Sequence, residues 1–437
     1  MKKETEIELL DLILCLSDAM DFIDPALVSH HKQVAYIAFS IGTEMGLPMT
    51  QLKELVFSGG LHDIGAFSLK EKKGVMQFEI KNPFTHSEAG YLILNLFKAL
   101  SYTARIVRFH HIPWSSVKGS EYKNQPVPLE SHILHLSDRI AVLIDKKREV
   151  LGQTDKICRM INNSAGETFM PELVQVFNNL AIKEYFWLDL VSPDIRRVIS
   201  NRLEPHSIKI ASEDMLGFVQ LFSKVIDFKS PFTATHSSGV AASAELLAKH
   251  YGFNEEECRM MRIAGYLHDL GKLTVPAEIL DKPAKLWKKE FNVIRQHTFY
   301  TYRILETIPA LQIINEWGAF HHERLDGSGY PFHLNAQDLP IGSQIMAVAD
   351  IFTALAENRP YRTGMSQENA LKILDEKVAH SAINKDIVFL LKQYYDEINA
   401  ARATFQTDAT REYKHIRKRL RDMENFRSNK EDRNFRT

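Results

Sequence analysis

Seven side chains of metal-ligand type occur twice in this 437-residue chain, in the same order and at nearly the same spacing. His30 precedes His62-Asp63 by 32 residues, and His236 precedes His268-Asp269 by the same step. His86 lies 24 residues before the pair His110-His111, and His297 lies 24 before His321-His322. Asp138 follows His111 by 27 residues, and Asp350 follows His322 by 28. The local context repeats as well, with Gly-Gly-Leu-His-Asp-Ile-Gly at 59–65 and Gly-Tyr-Leu-His-Asp-Leu-Gly at 265–271. A duplicated structural unit accounts for such a pattern, so each half must fold alike and gather its own seven residues. The length points the same way, since a chain this long exceeds one ordinary core.

Apolar residues recur at helical spacing, and alternating strand patterns are scarce. Ala241 to His250 reads as helix with Gly252 at its C-cap. Asn254 with Glu257 three residues on reads as a capping box opening the next helix. The expectation is an all-α protein of two tandem helical domains. Glu204-Pro205 interrupts a helical pattern. The divisions expected are 1–205, 211–405 and a charged C-terminal tail, 406–437. From Arg411 that tail carries ten basic and five acidic residues, which predicts a solvated helix that frays. A formal net charge of −1 gives no global field to draw in duplex nucleic acid or an acidic membrane. No apolar run is long enough to span a bilayer. Cys15, Cys158 and Cys258 are scattered, which argues against a disulfide framework and fits a reducing cytosol.

One His-Asp dipeptide carries little weight, because most histidines are hydrogen-bonded core or surface residues. Five histidines and two aspartates recurring in register are a different matter. Imidazole nitrogen with carboxylate oxygen suits iron, manganese, nickel or zinc. An adjacent His-Asp pair can aim its two side chains at neighbouring metals, the carboxylate bridging. Two metals about 3.5–4 Å apart can share a hydroxide and stabilise charge on a phosphoryl group. The constellation therefore reads as phosphate-ester hydrolysis.

In the second half, His268-Asp269-Leu270-Gly271-Lys272 is followed by His321-His322-Glu323-Arg324-Leu325-Asp326-Gly327-Ser328-Gly329-Tyr330-Pro331. From about Ser212 to Tyr395 the chain resembles the HD-GYP family of cyclic dinucleotide phosphodiesterases. The resemblance implies that His236, His268, Asp269, His297, His321, His322 and Asp350 are metal ligands, with Asp269 bridging. It implies that Asp269 and Lys272 are catalytic, Lys272 contacting the scissile phosphate, a role its point charge suits. Asp326, Gly329, Tyr330, Pro331, Arg359 and Arg362 are then substrate-binding. The implied cofactor is a pair of divalent ions, iron or manganese. Family members with a third metal carry a carboxylate four residues before the first histidine; Phe232 stands there in this chain. The implied reaction opens cyclic di-GMP or 3′3′-cyclic GMP-AMP to a linear 5′-phosphorylated dinucleotide. The alternatives are an HD-superfamily nucleotide phosphohydrolase, against which Gly-Tyr-Pro argues, and a non-catalytic cyclic dinucleotide effector, against which Lys272 and the full ligand set argue.

The first half keeps every ligand-type residue but has Ala66 in place of Lys272 and Ile112-Pro113-Trp114 in place of the glycine-rich loop. It resembles a degenerate HD domain without catalysis. Its histidines as retained ligands and its histidines as relics are both compatible with the sequence.

Overall fold

The computed structural model describes residues 7–22, 28–66, 74, 77–78, 84–117, 121–122, 124–203, 209–210, 212–229, 235–282, 284–358 and 363–434. The protein is all-α. The only strands among the described residues are two short antiparallel pairs, Ile7–Glu8 with Lys209–Ile210 and Glu121–Tyr122 with Gln125–Pro126. The chain divides into two compact units: residues 7–210 with the end of the last helix from Leu420, and residues 212–419. No described helix is long and apolar enough to cross a membrane.

Each unit is built on five helices that occur in the same order. In the first they are α1 (His30–Glu44), α2 (Met49–Leu61), α3 (Phe84–Leu94), α4 (Ser101–Phe109) and α5 (Leu129–Val142). The second is opened by α6 (Ser212–Lys229). Its own five follow as α7 (His236–Tyr251), α8 (Glu255–Leu267), α9 (Lys288–Leu305), α10 (Gln312–Ala319) and α11 (Ile341–Ala356). The long α12 (Tyr395–Asn434) closes the chain. The ligand-type residues fall at equivalent places. His30 and His236 open α1 and α7, while His62 and His268 directly follow α2 and α8.

Glycine makes this arrangement possible. A Cβ on Gly265 would lie 2.5 Å from Ala241 Cα, and one on Gly59 would lie 2.5 Å from Ala35 Cα. The first helix of each unit thus crosses the second with no side chain between them. Three residues after His268, at Gly271, a Cβ would sit 1.9 Å from the His297 carbonyl; at Gly65, three after His62, it would sit 2.1 Å from the His86 carbonyl. The repeated heptapeptide is therefore a packing requirement at both ends, and it brings the His-Asp pair against α9 or α3. Thr301 secures the contact in the second unit. Its hydroxyl accepts from Gly271 N at 2.9 Å and donates to His268 O at 3.1 Å.

The helix ends follow from local chemistry. Gly252 takes φ 106° at the C-cap of α7. Asn254 and Glu257 form the reciprocal capping box at the start of α8, with bonds of 3.0 and 2.9 Å. The charged segment after Arg411 is the continuation of α12, helical through Asn434. Most side chains of its first turns are exposed, as expected of a solvated helix, but the segment also docks: Ile416 is buried, Tyr413 lies 4.9 Å from the Phe228 ring, and Glu412 pairs with Lys224.

Candidate active site

In the second unit the ends of α7, α8, α10 and the middles of α9 and α11 converge on one buried point. His268, His297 and His321 each place Nδ1 on the carbonyl three residues back, at 2.7 Å to Gly265, 2.6 Å to Ile294 and 2.7 Å to Gly318. A carbonyl only accepts, so Nδ1 carries the proton and Nε2 presents its lone pair to the centre. Burial holds two of the rings at the centre neutral: His297 is pushed down to about 3, and His322 to about 4. Burial and the neighbouring His322 hold His321 well below its ordinary value.

The two oxygens of Asp269 face different partners. Oδ2 lies 3.1 Å from His268 Nε2, and Oδ1 lies 3.4 Å from His297 Nε2. His297 Nε2 is in turn 3.4 Å from His321 Nε2. On the other side His236 Nε2 is 3.0 Å from Asp350 Oδ1, and His322 Nδ1 is 4.0 Å from Asp350 Oδ2. Burial would raise the Asp269 carboxyl, but His268 and Lys272 hold it well below the usual carboxylate range. All seven residues expected to act together do lie together.

His268 Nε2 and Asp269 Oδ1 are buried without a hydrogen-bond partner. An unsatisfied buried polar atom costs about 1–3 kcal/mol, so nitrogens and oxygens gathered this way call for a ligand that accepts their lone pairs. Groups whose ligand atoms lie within 4.8 Å of one another include His297, His321 and His322; His236, His268 and Asp350; and His268, Asp269 and His321. The donor set fits a divalent transition metal.

Lys272 sits at the mouth, its Nζ 2.5 Å from Asp269 Oδ2 and its side chain 20% exposed. The Tyr330 ring packs 5.0 Å from His322, and the Arg295 guanidinium lies 4.7 Å over Tyr330. Burial raises the Tyr330 phenol, so it stays protonated and can donate. Gly329 runs so close to Glu323 that a Cβ would meet Glu323 Cα at 2.4 Å. Glu323 ties the far side of the loop by accepting from Phe332 N at 2.7 Å and Leu334 N at 3.1 Å. Pro331 follows Tyr330 through a cis peptide. Asp326 is exposed and caps a local turn, accepting from Ser328 N at 2.9 Å. Arg359, Arg362 and Phe232 lie outside the described residues.

Glu357 is the residue that sequence reasoning missed. Both its oxygens lie 3.2 Å from His236 Nδ1, and Oε2 accepts from Gln406 Nε2 at 3.0 Å. Burial disfavours charge on His236, yet Glu357 and Asp350 overcome it and push its pKa up to about 10. The available signal was spacing, because Glu357 falls seven residues after Asp350, at the cap that ends α11 two turns on. Glu357 orients His236 much as the backbone carbonyls orient the other rings. Glu357→Gln is expected to weaken metal binding by about 10–100-fold, read by competition with a chelator. Unchanged affinity would mean that Asp350 alone orients His236.

Two HD-domain family profiles match the chain, over residues 27–143 and 220–387. The 3′3′-cGAMP-specific phosphodiesterase 1 of Vibrio cholerae is 29% identical, covering 91% of this chain and 95% of that protein. The V. cholerae 3′3′-cGAMP-specific phosphodiesterase 3 is 28% identical over 88% of this chain and 94% of its own. The cyclic di-GMP phosphodiesterase of Thermotoga maritima is 36% identical but covers only 37% of this chain and 45% of its own length. A crystal structure of a V. cholerae cyclic GMP-AMP-specific phosphodiesterase superposes with a TM-score of 0.64 at 24% identity, covering 90% of this chain and 98% of that one, which establishes the fold. With one HD domain in each half and similarity along nearly its whole length, the chain belongs to the HD-domain family in its tandem, HD-GYP-type form.

Proposed function

We propose that the protein is a metal-dependent phosphodiesterase that opens a cyclic dinucleotide to a linear 5′-phosphorylated dinucleotide, with 3′3′-cyclic GMP-AMP as the preferred substrate. The observation that carries the reading is the convergence of five imidazoles and two carboxylates on one buried point with the Lys272 ammonium at its mouth. The substrate preference is supported by length. The relatives named for 3′3′-cGAMP that align almost end to end share both domains, whereas the cyclic di-GMP phosphodiesterase of T. maritima aligns over a minority of the chain.

His236, His268, Asp269, His297, His321, His322 and Asp350 would hold two divalent ions, iron or manganese, with Asp269 bridging. The facing of its two oxygens toward His268 and His297 supports that role. When bound, the ions supply an activated water and neutralise charge on the phosphoryl group. The chain's own residues do the rest. Lys272 brings a positive charge to the phosphate as negative charge develops on its oxygens. Tyr330, packed between Arg295 and His322, borders the substrate, and Gly329 lets the loop that carries it close against the Glu323 backbone. A water oxygen bonds to phosphorus and loses a proton to solvent, the bond from phosphorus to the 3′ oxygen breaks, and that oxygen takes a proton from solvent. Burial of His297 and His322 keeps these two as ligands rather than proton donors.

The test is a panel of 3′3′-cGAMP, cyclic di-GMP and a deoxynucleoside triphosphate, offered to protein reconstituted with iron or manganese and read by product chromatography. Linear dinucleotide formed fastest from 3′3′-cGAMP is the expected result. Faster opening of cyclic di-GMP would overturn the preference, and hydrolysis of the triphosphate alone would overturn the reaction class.

A further inference from the structure

The first unit repeats the ligand geometry but not the opening to solvent. Asp63 again splits its oxygens, Oδ2 lying 3.4 Å from His62 Nε2 and Oδ1 lying 3.4 Å from His86 Nε2. The ligand atoms of Asp63, His86, His110 and His111 all fall within 4.8 Å of one another, and all four residues are buried. His110 Nδ1 donates to Val107 O at 2.6 Å, which turns Nε2 inward. His110 Nε2, His111 Nε2 and Asp63 Oδ1 are buried without a hydrogen-bond partner. Three such atoms aimed at one point are costly unless something accepts their lone pairs.

Two features set this centre apart from its counterpart. The first is closure. The His111 side chain is 2% exposed, where that of its counterpart His322 is 31% exposed. The His135 ring lies 5.4 Å from His111 and is backed by Phe169 at 5.4 Å. Ile112 is buried with Phe109 and Val127, so this segment serves as core where the second unit has its glycine loop. The second feature is Arg139. Its Nη2 lies 2.5 Å from Asp138 Oδ2, both side chains 2% exposed, whereas Ile351 follows Asp350 in the other half. A fixed guanidinium on Asp138, the carboxylate that His30 and His62 face, already neutralises it and opposes a dication there. The Arg139 charge also reaches His86 and His111, but the carboxylate it neutralises is Asp138; the carboxylate of the four-residue set is Asp63, which faces His62 and His86.

We infer that the first unit holds a single divalent transition-metal ion, bound by Asp63, His86, His110 and His111 as a closed, four-ligand site that serves folding rather than hydrolysis. Four protein ligands and no open position are what distinguish structural from catalytic metal sites. Three imidazoles with one carboxylate suit zinc or another first-row ion. The ion stabilises the fold, because these ligands come together only in the folded chain.

The experiment uses the full-length protein carrying His268→Ala and Asp269→Ala, which disables the other centre. After stripping with chelator, it is given Zn²⁺ alone. The expected result is about one ion per chain by elemental analysis and a rise in melting temperature, both lost when His110→Ala and His111→Ala are added. A folded protein, by circular dichroism, that binds no zinc would overturn the inference. Two ions per chain would also overturn it, since Arg139 is argued to exclude the second. Crystals of the wild-type protein soaked in Zn²⁺ give a check free of substitutions. An anomalous peak among the four named residues is expected, and a peak between His30 and Asp138 instead would refute the assignment. Neither readout depends on phosphodiesterase activity, so failure here leaves the proposed reaction untouched.

Discussion

Asp269→Ala is expected to lower cyclic dinucleotide hydrolysis by at least about 10³-fold and to reduce the metal content of the second unit. Loss of one donor that stabilises a transition state costs on the order of 10²–10³. Here one substitution removes a ligand from both sides of the centre, because the two oxygens of Asp269 face His268 and His297 separately. Asp269→Asn separates charge from shape. The amide keeps the volume but cannot supply two anionic oxygens, so metal content should fall in that variant too. The fold should survive, since Lys272, the cation left behind, reaches solvent. Turnover near the wild-type rate with full metal would place the site elsewhere.

The clustering of the seven residues was legible because their chemistry and their packing leave marks in the same short stretches. His268 and Asp269 point at the buried centre, and Gly265 and Gly271 leave no room for a Cβ, which would lie 2.5 Å from Ala241 Cα and 1.9 Å from the His297 carbonyl, so the whole heptapeptide is constrained and its repeat is visible. The helical class was legible for an equally local reason: Gly252 and the Asn254–Glu257 box mark helix ends without reference to anything distant. Glu357 was hidden because its role depends on a partner 121 residues away. Its contact with His236 exists only once α7 and α11 are packed, and a glutamate just after a helix otherwise reads as surface charge. The same holds for Arg139, which nothing in the sequence separates from an ordinary helical arginine until its guanidinium is seen on Asp138.

The α12 segment shows the opposite failure. Its density of charge suggested solvation along its length, but net composition says little about a helix that buries one residue per turn or two. Ile416 and Tyr413 are the apolar positions that dock, and the charges around them pair outward or along the surface, as Glu412 does with Lys224. Gln406, earlier on the same helix, bonds Glu357 and so connects this helix to the ring of His236.

Lys272→Ala is expected to lower kcat by about 10²–10³-fold while leaving the metal in place, the range found when a single charge-stabilising donor is removed. In this structure the ammonium lies on Asp269 Oδ2, the same carboxylate that faces His268. Two roles are therefore open to test: neutralising the substrate phosphate, or holding Asp269 in position. They predict opposite changes in metal binding. If Lys272 serves the phosphate, its removal takes a competing cation away from a metal-binding carboxylate, so metal affinity holds or rises while turnover falls. If it positions Asp269, affinity falls together with turnover. Lys272→Arg sharpens the comparison, because it keeps the charge but replaces a compact ammonium with a planar fork. A partial recovery of kcat in Lys272→Arg, with metal affinity unchanged in both variants, is the expected outcome. Parallel loss of metal and activity in Lys272→Ala would make Lys272 a support for Asp269, and would leave the half-buried phenol of Tyr330 and the Arg295 guanidinium over it as described donors near the mouth of the site.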